Sequence, residues 1–342
     1  MHLLPVVLPL LFHVLFHALL PAVVRSARAD DAVTMEYVKH GQTGTVVPGL
    51  TLHVNQDAAT LDVQVNCGGK SGNHSGPARA GEAINFLFDL PVGQYACKGS
   101  LSGEFADGTA GEMPLSFGVQ VWPPMKIQIV PESVDLKGRT ASVKLDRTAS
   151  KVEVTAVGAR GVEAGKGTII SMAPAGQAIA VNWSEPTTEP IKLRIRGFDE
   201  HNFWTDLNVS VWSYNIPHED VVFATSSSTI DDTEVYKLDS ALIEATKVYT
   251  KYEGEVTVRL YVSGHTDTVG DAAMNQKLSG ERALSIARWF KAHGFPGEIW
   301  YCGMGESDLA VPTKDSVDEA RNRRAVYILA GSNPGGGYEQ LK

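Results

Sequence analysis

The sequence predicts a multidomain chain: two all-β domains in tandem, then a smaller α/β domain. Three observations predict it. Apolar and polar residues alternate through roughly residues 40 to 215, that stretch repeats itself at an offset of 90 to 91 residues, and near Pro217 the spacing switches to alternating strand and helix.

The 342 residues carry 30 Lys+Arg against 39 Asp+Glu, a net charge of −9. With 43% hydrophobic and 20% charged residues this is a globular composition. No basic run exceeds Asn322-Arg323-Arg324, so the phosphate-driven affinity of nucleic-acid binders is not expected. Leu3 to Val24 is almost wholly apolar and is followed by Ala27-Arg28-Ala29, a small-x-small site before Asp30. Residues 1–29 therefore read as a signal peptide for export. The rival reading is an uncleaved membrane anchor, against which Pro5, Pro9 and Pro21 count. No cysteine stands near residue 29 to take a lipid.

Strand alternation is plain in Leu61-Asp62-Val63-Gln64-Val65, Lys126-Ile127-Gln128-Ile129, Lys151-Val152-Glu153-Val154 and Ile191-Lys192-Leu193-Arg194-Ile195. Leu52-x-Val54 and Leu61-x-Val63 recur as Val143-x-Leu145 and Val152-x-Val154, and Val119-Gln120-Val121-Trp122 recurs as Val209-Ser210-Val211-Trp212. Two units of about 90 residues, each of short alternating strands, point to tandem immunoglobulin-like sandwiches over residues 30–123 and 124–216. A single eight-stranded membrane barrel is the rival, with Lys144, Lys192, Arg194 and Arg196 turned into a lumen. Cys67 and Cys97 each close a strand-like run and are candidates for a disulfide, or for two buried thiols; Cys302 reads as a core residue. No Cys/His spacing suggests zinc, and no metal or cofactor is expected.

From residue 217 the pattern predicts a βαβαββ sandwich to residue 331, with 332–342 a flexible tail. Val221-Val222-Phe223 reads as its first strand. Asp231 or Asp232 caps a helix with the stripe Val235, Leu238, Leu242, Ala245 and Tyr249, ended by Glu253-Gly254. A strand follows with Val256, Val258, Leu260 and Val262 on one face. A short helical stretch through Ala272 to Lys277 turns the chain back, and Ser279 is the expected N-cap of the second main helix. That helix turns Ala283, Ile286, Ala287 and Phe290 inward and stops at Gly294. Glu298 to Cys302 and Ala325 to Leu329 supply the last strands.

The candidate site is Gly264-His265-Thr266-Asp267-Thr268-Val269-Gly270 with Asn275-x-x-Leu278-Ser279-x-x-Arg282-Ala283. A glycine-bracketed loop presents Asp267, and Arg282 is expected in the first turn of a helix, where a cation sits badly. Asp267, Arg282 and free N–H groups at that helix start together suit a zwitterion, its ammonium on Asp267 and its carboxylate on Arg282. The plainer alternative is that Asp267 and Arg282 pair with each other, and that His265 is a packed histidine.

Residues 218–331 closely resemble the carboxy-terminal domain of outer membrane protein A, a module shared with peptidoglycan-associated lipoprotein and flagellar stator protein B. The resemblance is carried by Phe223, Gly264-His265-Thr266-Asp267-x-x-Gly270, Asn275-x-x-Leu278-Ser279-x-x-Arg282-Ala283, Gly303-x-Gly305-Glu306 and Asn322-Arg323-Arg324, over about a third of the chain. It implies non-covalent binding of peptidoglycan through the diaminopimelate of the stem peptide. In that role Asp267 would hold the ammonium, Arg282 the carboxylate, Asn275, Leu278 and Thr268 would line the pocket, and Arg323 would stand near its rim. Met274 replaces the usual aromatic before Asn275, and Ala224 stands where an acid often follows Phe223. The implied setting is the periplasm or outer membrane of a cell envelope, with the β domains engaging a partner protein and any membrane contact indirect or through an uncleaved amino-terminal segment. The rival functions are an adhesin or assembly module for which wall binding is only a tether, and a hydrolase. The hydrolase lacks a catalytic set, Cys302 being a weak nucleophile candidate, so no enzyme is expected.

Overall fold

A computed structural model describes residues 32–224 and 226–342; the leader expected over residues 1–29 lies outside the described residues. The chain divides into two compact units. One ends at Lys126 and takes in Leu145–Ser150 and Phe198–Thr205; the other holds Ile127–Lys144, Lys151–Gly197 and Asp206–Lys342. No helix among the described residues is long and apolar enough to cross a membrane.

The repeat is one of topology. In the first β region Val33–Val38, Gly49–Val54 and Ala83–Leu87 make a three-stranded sheet, with Gly49–Val54 central. A five-stranded sheet runs His40–Gln42, Ala110–Trp122, Gly93–Phe105, Ala58–Cys67 and Lys70–Ala78. In the second region Ile127–Ile129, Thr140–Leu145 and Ile179–Asn182 form the three-stranded sheet, with Thr140–Leu145 central. Its other sheet runs Glu163–Ile170, Ala149–Val157, Lys192–Asp199 and Trp204–Ser210. The two orders correspond strand for strand, except that the first adds the short parallel strand His40–Gln42. The strands carrying Leu52, Val54, Leu61 and Val63 hold the same places as those carrying Val143, Leu145, Val152 and Val154. No sheet exceeds five strands, so the described residues do not form the rival barrel.

In the first region one core is shared by both sheets: Leu50, Leu52 and Phe86 from one, and Leu61, Val63, Val65, Leu115 and Phe117 from the other. Cys67 and Cys97 stand directly opposite each other in the antiparallel register and are joined as a disulfide, fully buried in that core. Cys97 lies inside the strand Gly93–Phe105 rather than at its end. At the end of the same unit the His40 ring stacks on His201 at 3.8 Å and 11°, beside Trp122 at 6.0 Å from His201. Asp199 holds the turn around His201: its carboxylate accepts the N–H groups of His201 and Phe203 at 2.9 Å and pairs with Arg147 at 3.0 Å.

In the α/β module the strands are β1 (Ser213–Asn215), β2 (Arg259–His265), β3 (Glu298–Gly305), β4 (Ala325–Ala330) and β5 (Glu339–Gln340), and the helices are α1 (Val235–Tyr252) and α2 (Ala272–Ala292). Sheet order is β1-β4-β2-β3-β5, with β2 and β3 parallel across the α2 crossover and the other pairs antiparallel. Leu260, Val262, Ile299, Tyr327 and Leu329 of the sheet share a core with Leu238, Ala241, Ala245 and Val248 of α1 and with Ala283, Ile286, Ala287 and Phe290 of α2.

Four expectations are corrected here. Val221–Phe223 is not a strand: Val222 is exposed, and its N–H goes to the Glu234 carboxylate at 2.7 Å. The first strand lies earlier, at Ser213–Asn215, and Ile191 and Trp212 join the module's core, so the second β region shares a compact unit with the module across the expected 216/217 boundary. The strand after α1 begins at Arg259, with Val256 and Val258 buried in the segment before it. The tail is not loose throughout: Glu339 and Gln340 pair with Tyr301 and Trp300, and Tyr338 packs on Tyr261 at 5.1 Å.

The fourth correction concerns α2. It is a single helix of 21 residues whose N-cap is Asp271, accepting from the N–H groups of Ala273 and Met274 at 2.9 and 3.0 Å. Ser279 is buried inside it, donating to the Gln276 carbonyl and accepting from the Gly305 N–H, both at 2.9 Å. The same small face lets the helix press on the sheet. A Cβ at Gly303 would lie 2.5 Å from the Gly280 nitrogen, and one at Gly264 would lie 2.3 Å from the Ser279 carbonyl.

Two measurements probe the first unit. The disulfide closes a loop of sequence separation 30, so its removal by Cys67→Ala with Cys97→Ala should cost about 3 to 4 kcal/mol, read as a lowered denaturant midpoint. Acid should weaken the histidine stack. Burial first, and then the neighbouring His201, hold His40 below the ordinary histidine range, while Asp199 and Glu200 pull the other way and Lys39 adds to the lowering. Neutral His40 therefore stabilises the fold above about pH 6.5, and that contribution is lost as pH falls through this value toward the folded pKa. Melting temperature should fall less steeply between pH 7.5 and 5.5 in His40→Phe than in the parent; identical slopes would remove the stack from the account.

Candidate ligand-binding site

The site is built where β2 ends. Close contact with α2 fixes Gly264, after which His265 is buried, its Nε2 3.0 Å from the Ser263 hydroxyl and its Nδ1 3.2 Å from the Asp308 carbonyl. Burial holds its pKa below the usual value, with the Arg324 charge adding to the shift. His265 is thus a packed, hydrogen-bonded residue of the strand end. The Thr266 N–H donates to the Gly305 carbonyl at 2.8 Å, and the next residue, Asp267, turns into the loop with only 7% of its surface exposed.

The Asp267 carboxylate has two partners. Oδ1 accepts the Val269 N–H at 3.2 Å, and Oδ2 accepts Arg323 Nη1 at 2.5 Å. The same Nη1 also donates to Asp318. Asp267 therefore pairs with Arg323, not with Arg282. The carboxylates of Asp318 and Asp267 hold the Arg323 guanidinium above its ordinary pKa.

Arg282 lies about three turns into α2, and not at its start. The free N–H groups expected beside it are at the Asp271-capped end instead, so they do not contribute to a site with Arg282. Its own setting is specific: Nε donates to the Ser227 carbonyl at 2.9 Å, Nη2 to the Ala224 carbonyl at 3.4 Å, and the guanidinium lies 5.1 Å over the Phe223 ring. Burial, then the Arg323 charge, lower its pKa, and Asp267 opposes them. Arg282 is thus within electrostatic reach of both members of the Asp267–Arg323 pair. Ala224 serves it through its backbone carbonyl.

Thr268 and Asn275 are spent on building the loop. The Thr268 hydroxyl donates to the Lys314 carbonyl at 2.7 Å and accepts the Val317 N–H at 3.1 Å. The Asn275 amide donates to the Val269 carbonyl at 3.1 Å and to the Glu306 carboxylate at 2.8 Å. Both side chains are buried. Leu278 is half-buried on α2, and Met274, in the first turn, is 72% exposed. Asp318 and Ser227 were not legible in sequence: Ser227 enters through its backbone carbonyl, met by Arg282 from a distant helix, and Asp318, five residues before Arg323, reaches the site only through the Arg323 side chain.

Elsewhere in the module a cavity of about 510 Å³ is lined by Leu284, Arg288, Lys291, Tyr301, Glu339 and Leu341, and none of the candidate residues borders it. Converging charge, not concavity, marks the Asp267 loop. Among the described residues no group of three His, Cys, Asp or Glu side chains is disposed to hold a metal. Burial pushes the Cys302 thiol up to about 11, which keeps it protonated and unreactive at neutral pH.

Residues 222–323 match the model of the OmpA family. Outer-membrane lipoprotein YfiB of Pseudomonas aeruginosa is 38% identical over 72 residues, covering 21% of this chain and 43% of that protein. Outer membrane protein A of Shimwellia blattae is 32% identical over 108 residues, covering 31% of this chain and 42% of that protein. The match thus spans less than half the length of either relative. The solved peptidoglycan-associated lipoprotein from Burkholderia pseudomallei aligns with 32% of this chain and 88% of its own, at 20% identity and a TM-score of 0.26. Residues 222–323 form a domain of the OmpA family.

Proposed function

We propose that this chain binds peptidoglycan without covalent linkage, through the diaminopimelate of the stem peptide, and so anchors an exported envelope protein to the cell wall. The observation that carries the reading is a nearly buried carboxylate, Asp267, near enough to the half-buried guanidinium of Arg282 to act on its charge, both within the stretch that matches the OmpA family. Diaminopimelate presents an ammonium and a carboxylate on one carbon. The ammonium suits Asp267 and the carboxylate suits Arg282, with Arg323 at the rim, Leu278 against the apolar stem, and Thr268 and Asn275 holding the loop in shape. Charge-assisted hydrogen bonds of this kind contribute about 1.5 to 3 kcal/mol each. The relatives named for the outer membrane support an envelope location, at the periplasmic face of the outer membrane.

The β tandem belongs to the same reading. Its twice-repeated strand order supports two immunoglobulin-like sandwiches, a fold that commonly presents loops and edges to other proteins. Their role is to engage an envelope partner while the carboxy-terminal module holds the wall. Because β1 precedes residue 217 and pairs with β4, truncation at that point would damage the module, so point substitutions are the cleaner probe.

The test is co-sedimentation of the full chain with purified diaminopimelate-type peptidoglycan. Asp267→Ala and Arg282→Ala should each weaken binding by at least about tenfold, since each leaves half of a charged ligand unpaired. Both variants must first show the parent's circular dichroism. Lysine-type peptidoglycan, whose side chain lacks the second carboxylate, should bind the parent poorly. Equal binding of parent and both variants would falsify the assignment.

A further inference from the structure

Arg323 gives the Asp267 loop a cation of its own. A single nitrogen, Nη1, serves two carboxylates, Oδ2 of Asp267 and Oδ1 of Asp318. The two acceptors differ sharply in setting: the Asp267 side chain is 9% exposed and that of Asp318 is 79% exposed. Oδ1 of Asp267 is already engaged by the Val269 N–H. Each oxygen of the buried carboxylate therefore already accepts one hydrogen bond in the free protein, and Arg323 competes with an incoming ammonium for the Asp267 charge. Arg282 adds a second positive charge nearby, so an unmoved Arg323 would confront a ligand cation with like charge on two sides.

We infer that Arg323 is a displaceable counter-cation: the ligand's ammonium replaces it on Asp267, and Arg323 withdraws onto Asp318. The inference rests on the reading of Asp267 as the ammonium acceptor given above. Charge accounts for the economy of the exchange. A zwitterion is neutral overall, so its entry beside Asp267, Asp318, Arg323 and Arg282 adds no net charge to the site. Asp318 accepts the released guanidinium at the water-exposed edge, where an ion pair has little desolvation to overcome. The exchange also sets specificity. The ligand must bring a charged N–H donor to replace Arg323, so a trimethylated amine, which has no N–H, and an acetylated amine, which has no charge, are both refused even where they fit.

The experiment is calorimetric titration of the full chain with a soluble muropeptide containing diaminopimelate. The chains compared are the parent, Arg323→Gln, Asp318→Asn and the double variant, each with its melting temperature recorded. Arg323→Gln removes the competing cation and should bind roughly two- to fivefold more tightly. Asp318→Asn, a change at an exposed side chain that leaves the fold intact, should bind weaker by a similar factor, because Arg323 then has Asp267 alone. The double variant should match Arg323→Gln, since Asp318 acts only through Arg323. Weaker binding by Arg323→Gln, with Arg282→Ala still damaging, overturns the exchange and makes Arg323 a direct ligand contact, leaving the wall-binding reading intact. Unchanged affinity in Asp318→Asn overturns it equally, even if Arg323→Gln proves unstable. A folded parent that takes up no muropeptide removes the wall-binding reading and this inference with it.

Discussion

The site depends on how closely α2 approaches the two parallel strands β2 and β3. Three positions at the contact, Gly264, Gly280 and Gly303, carry no side chain, and a fourth, Ser279, turns its hydroxyl into the gap to join the Gln276 carbonyl to the Gly305 N–H. Any Cβ at Gly264 or Gly303 would meet backbone atoms at 2.3 to 2.6 Å, and backbone has no rotamer with which to yield. That contact sets where β2 stops and where its loop begins. It also aligns Asn275 and Arg282, seven residues apart and so on one face of the helix, with that loop. Asp267 then arrives beside Arg282 with little freedom to move, and a binding constellation held by packed backbone loses little entropy when a ligand enters.

The local features of the module were legible because they rest on periodicity. The inward stripes of both helices follow 3.6-residue spacing, and Glu298 to Cys302 and Ala325 to Leu329 lie within observed strands. Ser279 misled because serine is a strong N-cap by propensity, and only tertiary packing reveals that its hydroxyl is spent inside the helix. Asp271 carried the same cap signal, with Ala272, Ala273 and Met274 after it, all good helix formers. Val221-Val222-Phe223 has strand composition, but Phe223 is used to floor the Arg282 guanidinium and not to pair with a neighbour. The tail deceived in the opposite way: Gly335, Gly336 and Gly337 suggest looseness, yet Tyr338 finds Tyr261 and carries the following residues onto the edge of β3.

In the β tandem, a faint repeat of apolar pairs proved to mark corresponding strands, since alternation places the same residues inward in both copies. Side-chain identity is not what the copies share. The first copy adds a disulfide between Cys67 and Cys97 to its aliphatic core, while the equivalent strands of the second, Ala149–Val157 and Lys192–Asp199, hold together on buried aliphatics such as Val152, Val154, Leu193 and Ile195. A cross-link acts mainly on the unfolded chain and an aliphatic core through burial.

The electrostatics of the Asp267 loop follow from an asymmetry of exposure. Asp267 and Arg282 are removed from water by the backbone that positions them, so each needs a partner in the free protein. Arg282 finds backbone carbonyls and the Phe223 ring, uncharged partners for its N–H groups, while the Asp267 charge acts on it without an ion-pair contact among the described residues. Asp267 finds Arg323, whose side chain is 42% exposed and has a second carboxylate within reach. One half of the constellation is therefore fixed and the other is held by a partner that water and Asp318 can compete for. On the proposed reading a ligand gains most where it meets the fixed cation, and its first contact is expected at Arg282 through a carboxylate. On the same reading the ammonium then has only an exposed arginine to displace, so the selective step would fall at Asp267 and the anchoring step at Arg282.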